Sequence, residues 1–551
     1  MIRHSSPARL AAVTVTAATA LSLALSGCSG AGPGGGAGSG RTEAGARDRD
    51  PGESAASPSP SRTYPLSSAP ATVPAVRVHE AARGPGWRPG SGAGVVVAEG
   101  SEKLTDEGRL LAGELKIDFR GTVPARAGDV ELALTAPASP PPTGAPSARG
   151  PSGPESYTVV TEGGRVRISG PAEAGVFYGT RTLKQAVRSG GAMPEGTVRD
   201  GPDRPQRGLN VDIARKPFTA AWLEDRLREM ADLKLNQLGL HFSDDQGFRI
   251  ASDTHPEIVS PDHLTKAEVR RILALAASLH ITVVPEIDSP GHLGAVLADY
   301  PELALKDASG RTVPGAIDIS KPASAALVDE LLREYAKLFG GRYWNIGGDE
   351  YQALTRKDPE ASFPVLAALA RKEYGPEGRI QDLATAWVNG RARLLRSLGR
   401  TPQAWNDGFF RGGEVSVDKD VQVLYWTGKE IGARPPAEYL DEGRPVVNLN
   451  DEYLYYVLGE PNEFTYPTGQ RIYEQWTPLV LRGTEPVAEK YSRQILGGSF
   501  AIWGDLAQAQ TAEQIARGIA LPLAATAQKV WDPRTPSRDW QDFRALAEEL
   551  D

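Results

Sequence analysis

From about residue 207 onward the chain repeats one rhythm. A short apolar run rich in β-branched or aromatic residues is followed by a polar residue or two, then by a longer stretch with helical spacing of its apolar positions. The short runs read as buried strands and the longer stretches as amphipathic helices. The runs fall at 209–213, 237–242, 281–287, 343–346, 403–405, 421–426, 446–449 and 500–503. Strands alternating with helices in this way predict an α/β fold, a (β/α)8 TIM barrel over residues 203–535. An open doubly wound sheet is the alternative, but no glycine-rich phosphate turn follows an early strand.

Residues 73–200 carry a different pattern. Strand-like runs at 95–98, 130–134, 157–161 and 166–169 are mixed with helical stretches at 104–115 and 172–187, and a Pro/Ser/Gly loop spans 137–154. This is a smaller α+β domain in front of the barrel, and it gathers no cluster of acids, histidines or aromatics. The last residues, 536–551, read as a C-terminal tail.

The first 28 residues read as a targeting segment. Arg3 and Arg9 precede an apolar stretch at 10–25, and small residues lead to Cys28, the one cysteine in the chain. The arrangement resembles a bacterial lipobox, which implies cleavage before Cys28 and diacylation of its thiol. Residues 29–72 are dominated by Gly, Ala, Ser and Pro and cannot bury enough apolar surface to offset ordering entropy, so they read as a disordered tether. The expectation is an exported lipoprotein on the outer side of the cell membrane, touching the membrane through that anchor alone. A net charge of −8 gives no basic footprint for nucleic acid.

Candidate chemistry sits where the strands end. Arg215, Asp244 with Asp245, Asp288 with His292, Asp349 with Glu350, Trp405 with Asp407, Trp426, Asp451 with Tyr453, and Trp503 with Asp505 each follow a strand-like run. A parallel barrel brings all its C-terminal strand ends to one mouth. The stretch YWNIGGDEY (343–351) is the most informative: two glycines allow a sharp turn, and two adjacent carboxylates favour holding one proton between them. Of the seven histidines only His241 and His292 lie near the mouth, with no metal-ligand spacing, and His241 reads as packed in the barrel wall. No metal or cofactor is expected, and no Gly-x-Ser-x-Gly elbow is present. Acids flanked by tryptophans suit a sugar, whose flat faces stack on rings while its hydroxyls meet carboxylates.

Five ordered motifs carry a resemblance: RGLNVDIAR (207–215), HFSDDQGFR (241–249), PEIDSPGH (285–292), NIGGDE (345–350) and AIWGD (501–505). Together with GVFYGTRTLKQ (175–185) they are similar to glycoside hydrolase family 20, the β-N-acetylhexosaminidases. The resemblance implies a substrate-assisted retaining mechanism, in which the 2-acetamido oxygen of the sugar is the nucleophile. It implies Glu350 as general acid and base with its pKa raised by Asp349, Asp349 as the group that orients the acetamido N–H, and Tyr453 as donor to the acetamido oxygen. It also implies Trp405, Trp426 and Trp503 around the acetyl methyl, Arg215 and Asp505 on sugar hydroxyls, and Asp244 and His292 in support. The partner would be a glycan ending in N-acetylglucosamine or N-acetylgalactosamine.

Three positions depart from the family pattern: Asn345 and Lys216 stand where histidines are common, and Asp505 where a glutamate is. The NDEYLYYV stretch (450–457) resembles the branch with dispersin-like enzymes and lacto-N-biosidases. A sugar-binding lipoprotein without catalysis, and a retaining glycosidase with a protein nucleophile, remain as alternatives.

Overall fold

The computed structural model describes residues 63–136, 152–429 and 433–551. The expected signal segment with Cys28, the tether up to residue 62 and most of the 137–154 loop lie outside the described residues. Residues 63–72, expected as tether, are instead tied to the folded domain at several points, although half of them are exposed. Leu66 bridges Arg83, Ser67 donates to the Glu195 carbonyl, and Thr72 is fully buried with its hydroxyl on the Pro74 carbonyl. Backbone and hydroxyl partners supply here what bulky side chains do not.

The N-terminal domain is a seven-stranded sheet. Its strands are β1 (Val78–Ala81), β2 (Gly94–Val97), β3 (Asp118–Phe119), β4 (Val130–Leu134), β5 (Tyr157–Glu162), β6 (Arg165–Gly170) and β7 (Gly196–Asp200), in spatial order β1-β7-β5-β6-β4-β2-β3. The β5–β6 hairpin turns at Gly163 and Gly164, both at positive φ, as a tight two-residue turn requires. Helices α1 (Thr105–Leu115) and α2 (Glu173–Gly190) pack on each other and on the sheet through faces that include Leu111, Phe177 and Leu183.

The second part is a closed parallel barrel. Its wall strands are β8 (Gln206–Asp212), β9 (Gln237–His241), β10 (Thr282–Glu286), β13 (Tyr343–Asn345), β14 (Thr401–Trp405), β15 (Gln422–Tyr425), β16 (Val446–Asn448) and β18 (Ile495–Trp503); β18 pairs with both β16 and β8 and closes the ring. All eight expected strands are present. A hairpin of β11 (Ala304–Lys306) and β12 (Thr312–Ile317) lies outside the wall, and a short β17 (Tyr455–Val457) pairs with the end of β18. Helices follow the wall strands except after β14, where only a single turn at Asn406–Gly408 is formed before β15.

Residues 536–551, expected as a C-terminal tail, carry a helix. Helix Trp540–Leu550 starts at Asp539, whose side chain accepts from the Asp542 N–H, and it buries Phe543 and Leu546 against α2 and helix Ala512–Trp531. No described helix is long and apolar enough to cross a membrane. The two domains meet at the beginnings of β8 and β9, through Arg207, Lys234 and Asn236 on the barrel side, so the strand ends at the opposite face are left open.

Candidate active site

The carboxylate pair is set by a turn. After β13 the chain passes through Gly347 and Gly348 at φ +70° and +95°, and Glu350 itself sits at φ +43°, a strained value for a residue with a side chain. Three neighbours hold the turn: Asn345 Oδ1 accepts from Gly347 N at 3.0 Å, Asp288 Oδ1 from Gly348 N at 3.0 Å, and Asp407 Oδ2 from Glu350 N at 3.2 Å. A Cβ on Gly347 would lie 1.6 Å from Asp288 Oδ1, so only glycine fits. The result points Asp349 and Glu350 into a cavity of about 490 Å³, a size that encloses most of a small ligand.

Around the pair runs a continuous charged network. Arg215 lies 3.0 Å from Asp212 and 2.8 Å from Asp244. Asp244 also meets His241 Nε2 at 2.7 Å and His292 Nδ1 at 3.4 Å. His292 Nε2 then faces Glu350 Oε2 at 3.3 Å and Asp349 Oδ2 at 3.8 Å. Asp349 Oδ1 is buried and has no partner among the described residues. Such an atom is costly unless a donor from a ligand meets it.

The opposite wall is aromatic. Trp426 and Tyr455 stack nearly parallel with ring centres 5.7 Å apart, and Tyr455 and Trp405 each lie within 5.8 Å of Trp503. Two of the indoles are pinned by acids: Trp426 Nε1 donates to Asp407 Oδ1 at 3.0 Å and Trp405 Nε1 to Glu286 Oε1 at 2.8 Å. Lys429, Asp451, Asn462, Glu463 and Phe464 form the rim.

The electrostatics of the carboxylate pair depart from expectation. Burial pushes the Asp349 carboxyl up, against the pull of His292, whereas the hydrogen bond from His292 holds Glu350 below its ordinary value. Burial and the nearby Asp349 charge likewise push Asp407 up to about 8. His292, although buried, is held well above the usual histidine value by Asp244 and Asp288. Burial thus disfavours charge on Asp349, while His292 favours it on Glu350. The Glu350 charge adds to the upward push on Asp349, whereas His292 favours the charged form of both carboxylates.

The structure brings Arg215, His292, Asp349, Glu350, Trp405, Trp426, Trp503 and Asp505 to one cavity, with Asp244 immediately behind. Tyr453 is not brought there. It is 1% exposed in the core, its ring lies under the Arg471 guanidinium, and its hydroxyl has no partner among the described residues; Tyr455, two residues on, lines the cavity instead. A one-turn helix, Asp451–Leu454, leads into β17 and reverses which tyrosine faces inward. His241 is buried as expected but also lines the cavity. Glu286 and Tyr455 were not singled out by the sequence; Glu286 lies inside the PEIDSPGH motif, so the signal was at hand.

The departures find local reasons. Asn345 caps the glycine turn, and Lys216 Nζ reaches the Ala507 carbonyl at 2.7 Å, tying down the segment that carries Asp505. Two groups, Asp244/Asp245/His292 and Asp288/His292/Asp349, have ligand atoms close enough to share a cation, but Arg215 and His241 already engage Asp244.

A parallel barrel whose mouth joins paired carboxylates, an arginine and a tryptophan box is the architecture of a glycoside hydrolase. Residues 205–534 match the catalytic domain of glycosyl hydrolase family 20 and residues 69–201 match domain 2 of the same family. The chain belongs to glycosyl hydrolase family 20. It is 28% identical to a lacto-N-biosidase of Bifidobacterium bifidum over 88% of this chain, though it spans only 42% of that protein. It is 31% identical to a β-hexosaminidase of Akkermansia muciniphila, over 70% of this chain and 80% of that one. The fold is similar to the family 20 β-N-acetylhexosaminidase structure from Streptomyces coelicolor, with TM-score 0.68 at 24% identity, covering 88% of this chain and 96% of the other.

Proposed function

We propose that the protein is an exo-acting, retaining β-N-acetylhexosaminidase that cleaves terminal N-acetylhexosamine β-glycosides, with the 2-acetamido oxygen of the sugar as nucleophile. One observation carries the reading: the buried Asp349 Oδ1, without a partner among the described residues, beside Glu350 and opposite an aromatic box. An acetamido N–H would satisfy that oxygen while its methyl packs among Trp405, Trp426 and Trp503. Tyr455 would donate to the acetamido oxygen, and Arg215 with Asp505 would receive ring hydroxyls.

In the first step Glu350 protonates the leaving oxygen as the acetamido oxygen attacks the anomeric carbon, giving an oxazolinium ion; Glu350 then takes a proton from water, which opens the ring. Sugar binding favours the protonation that the first step needs. The N–H bonded to Asp349 favours its charged form, and the sugar packed over Glu350 removes water and favours its neutral form. Wild type is expected to hydrolyse an aryl N-acetyl-β-glucosaminide, Glu350→Gln to lose that activity, and neither to hydrolyse the glucoside lacking the acetamido group. Equal turnover of both sugars would point to a protein nucleophile instead, and binding without turnover to a sugar receptor.

A second reading within the same mechanism, release of a disaccharide as by a lacto-N-biosidase, is supported by the similarity to the Bifidobacterium bifidum enzyme and by the shorter Asp505, which forms no ion pair with Arg215 among the described residues. Aryl N-acetylglucosaminide and aryl lacto-N-bioside assayed side by side separate the two. We propose, too, that the enzyme is exported and lipidated at Cys28, on the strength of the N-terminal pattern; mass spectrometry of the mature N-terminus tests it.

A further inference from the structure

Glu286 is absent from the chemistry just described, yet two parts of the site lean on it. It ends β10, in register with His241 of β9 and Asn345 of β13, and it is 1% exposed. Its Oε1 accepts from Trp405 Nε1 at 2.8 Å and lies 3.1 Å from His241 Nδ1. Its Oε2 has no partner among the described residues; Glu286 borders a void of about 40 Å³ shared with Asn210 and Ser499, roomy enough for a water. On the far side of His241 the contacts run through Asp244 and His292 to Glu350.

We propose that Glu286 is a positioning residue that sets both functional walls at once: the acyl pocket through Trp405, and the acid's surroundings through the His241–Asp244–His292 chain. The inference rests on the hexosaminidase reading. The alternative role, a carboxylate that only fills the barrel core, is at odds with its partners: both are cavity-lining side chains, and among the described residues no other side chain holds the Trp405 indole N–H. The groups facing His241 are Asp244 and Glu286 by contact, Asp212 through its charge, and the edge of Trp503. Burial disfavours the imidazolium, but the three carboxylates outweigh it and hold His241 well above its ordinary value. A neutral partner at 286 therefore strips a charge from one end of the chain that terminates at Glu350, whereas an apolar one also frees the Trp405 indole.

The two effects separate by variant. In Glu286→Gln the amide oxygen still accepts from Trp405, so preference for N-acetyl over N-propionyl aryl glucosaminide is expected to hold while kcat falls on the order of 10-fold at unchanged KM. In Glu286→Leu the anchor is lost as well, and the acetyl-to-propionyl ratio of kcat/KM is expected to drop on the order of 10-fold. Wild-type kcat in Glu286→Gln, or an unchanged acyl ratio in Glu286→Leu, overturns the proposal. Should the variants not fold, ¹⁵N-histidine spectra of the wild-type protein at pH 7 decide it: a doubly protonated His241 is expected, and a neutral ring overturns it. Wild-type failure to cleave the N-acetyl substrate would instead sink the hexosaminidase reading, which the same assay reveals first.

Discussion

Tyr453 and Tyr455 show how much a single position matters at this mouth. Tyr453 has a buried hydroxyl without a partner, so Tyr453→Phe removes a polar group that makes no bond; kcat is expected to stay put and the melting temperature not to fall. Tyr455 lines the cavity beside Trp426 and Trp503, where its hydroxyl can meet an oxygen that gains charge. Tyr455→Phe is expected to lower kcat by roughly 10²–10³, the usual effect of deleting one such donor. The reverse pattern in steady-state kinetics would hand the role back to Tyr453. His292 carries the second residue-scale prediction. A general acid loses activity as pH rises through its pKa, and in the free enzyme His292 holds Glu350 below its ordinary value. The alkaline limb of kcat/KM, which reports the free enzyme, should thus lie at lower pH than that of kcat. His292→Asn removes the hydrogen bond and the positive charge, so that limb should move to higher pH even as kcat drops. A limb that stays in place in the pH–rate profiles would mean another group sets the Glu350 proton.

Among elements, the turn after β13 is the one the chemistry depends on. Gly347→Ala puts a side chain on a left-handed backbone, at about 1–3 kcal/mol of strain, and drives it into Asp288, which itself caps the turn. The carboxylate pair must shift, so a fall in kcat of about 10² is expected with the fold intact by circular dichroism. Undiminished kcat would show that the pair does not depend on this turn. The glycines were legible in the sequence, as were all eight barrel strands, because a fully buried parallel strand shows itself as a short apolar run ending in a polar residue. The strands β1, β3 and β7 were not: VHEA, DF and GTVRD are short and polar, and they become strands only through partners elsewhere in the chain. The inward tyrosine escaped for a related reason, since facing is decided where helix 451–454 hands over to β17, a junction without a period to read. The opposite shifts of Asp349 and Glu350 escaped because the pull on Glu350 comes from His292, more than fifty residues away in sequence and 3.3 Å from Glu350 in space.

At the scale of the molecule, a buried ionic joint fastens the α+β domain to the barrel at the end away from the chemistry. Lys234, fully buried, donates to Tyr157 Oη and Thr182 Oγ1 at 2.8 Å and lies 3.4 Å from Asp200 Oδ2; Asp200 also accepts from Trp531 Nε1 at 3.0 Å and Arg77 N at 3.2 Å. Asp200→Asn keeps the shape but leaves the lysine without its counter-charge, a change that costs about 3–5 kcal/mol when a buried pair is broken from one side. Burial already pulls Lys234 down to about 8 in the intact joint, and losing Asp200, which opposes that pull, must lower it further. Below that value the variant has either to bury a lone cation or to give up a proton that the unfolded chain retains; well above it the lysine is neutral in both proteins and the charge penalty vanishes. The drop in unfolding temperature relative to wild type should accordingly be larger at pH 6 than at pH 9, and Lys234→Met in the Asp200→Asn background should recover part of it at pH 6. KM should be unaffected, since the joint touches the starts of β8 and β9 and not their ends. An equal drop at both pH values would assign the joint's strength to hydrogen-bond geometry rather than to the charge pair.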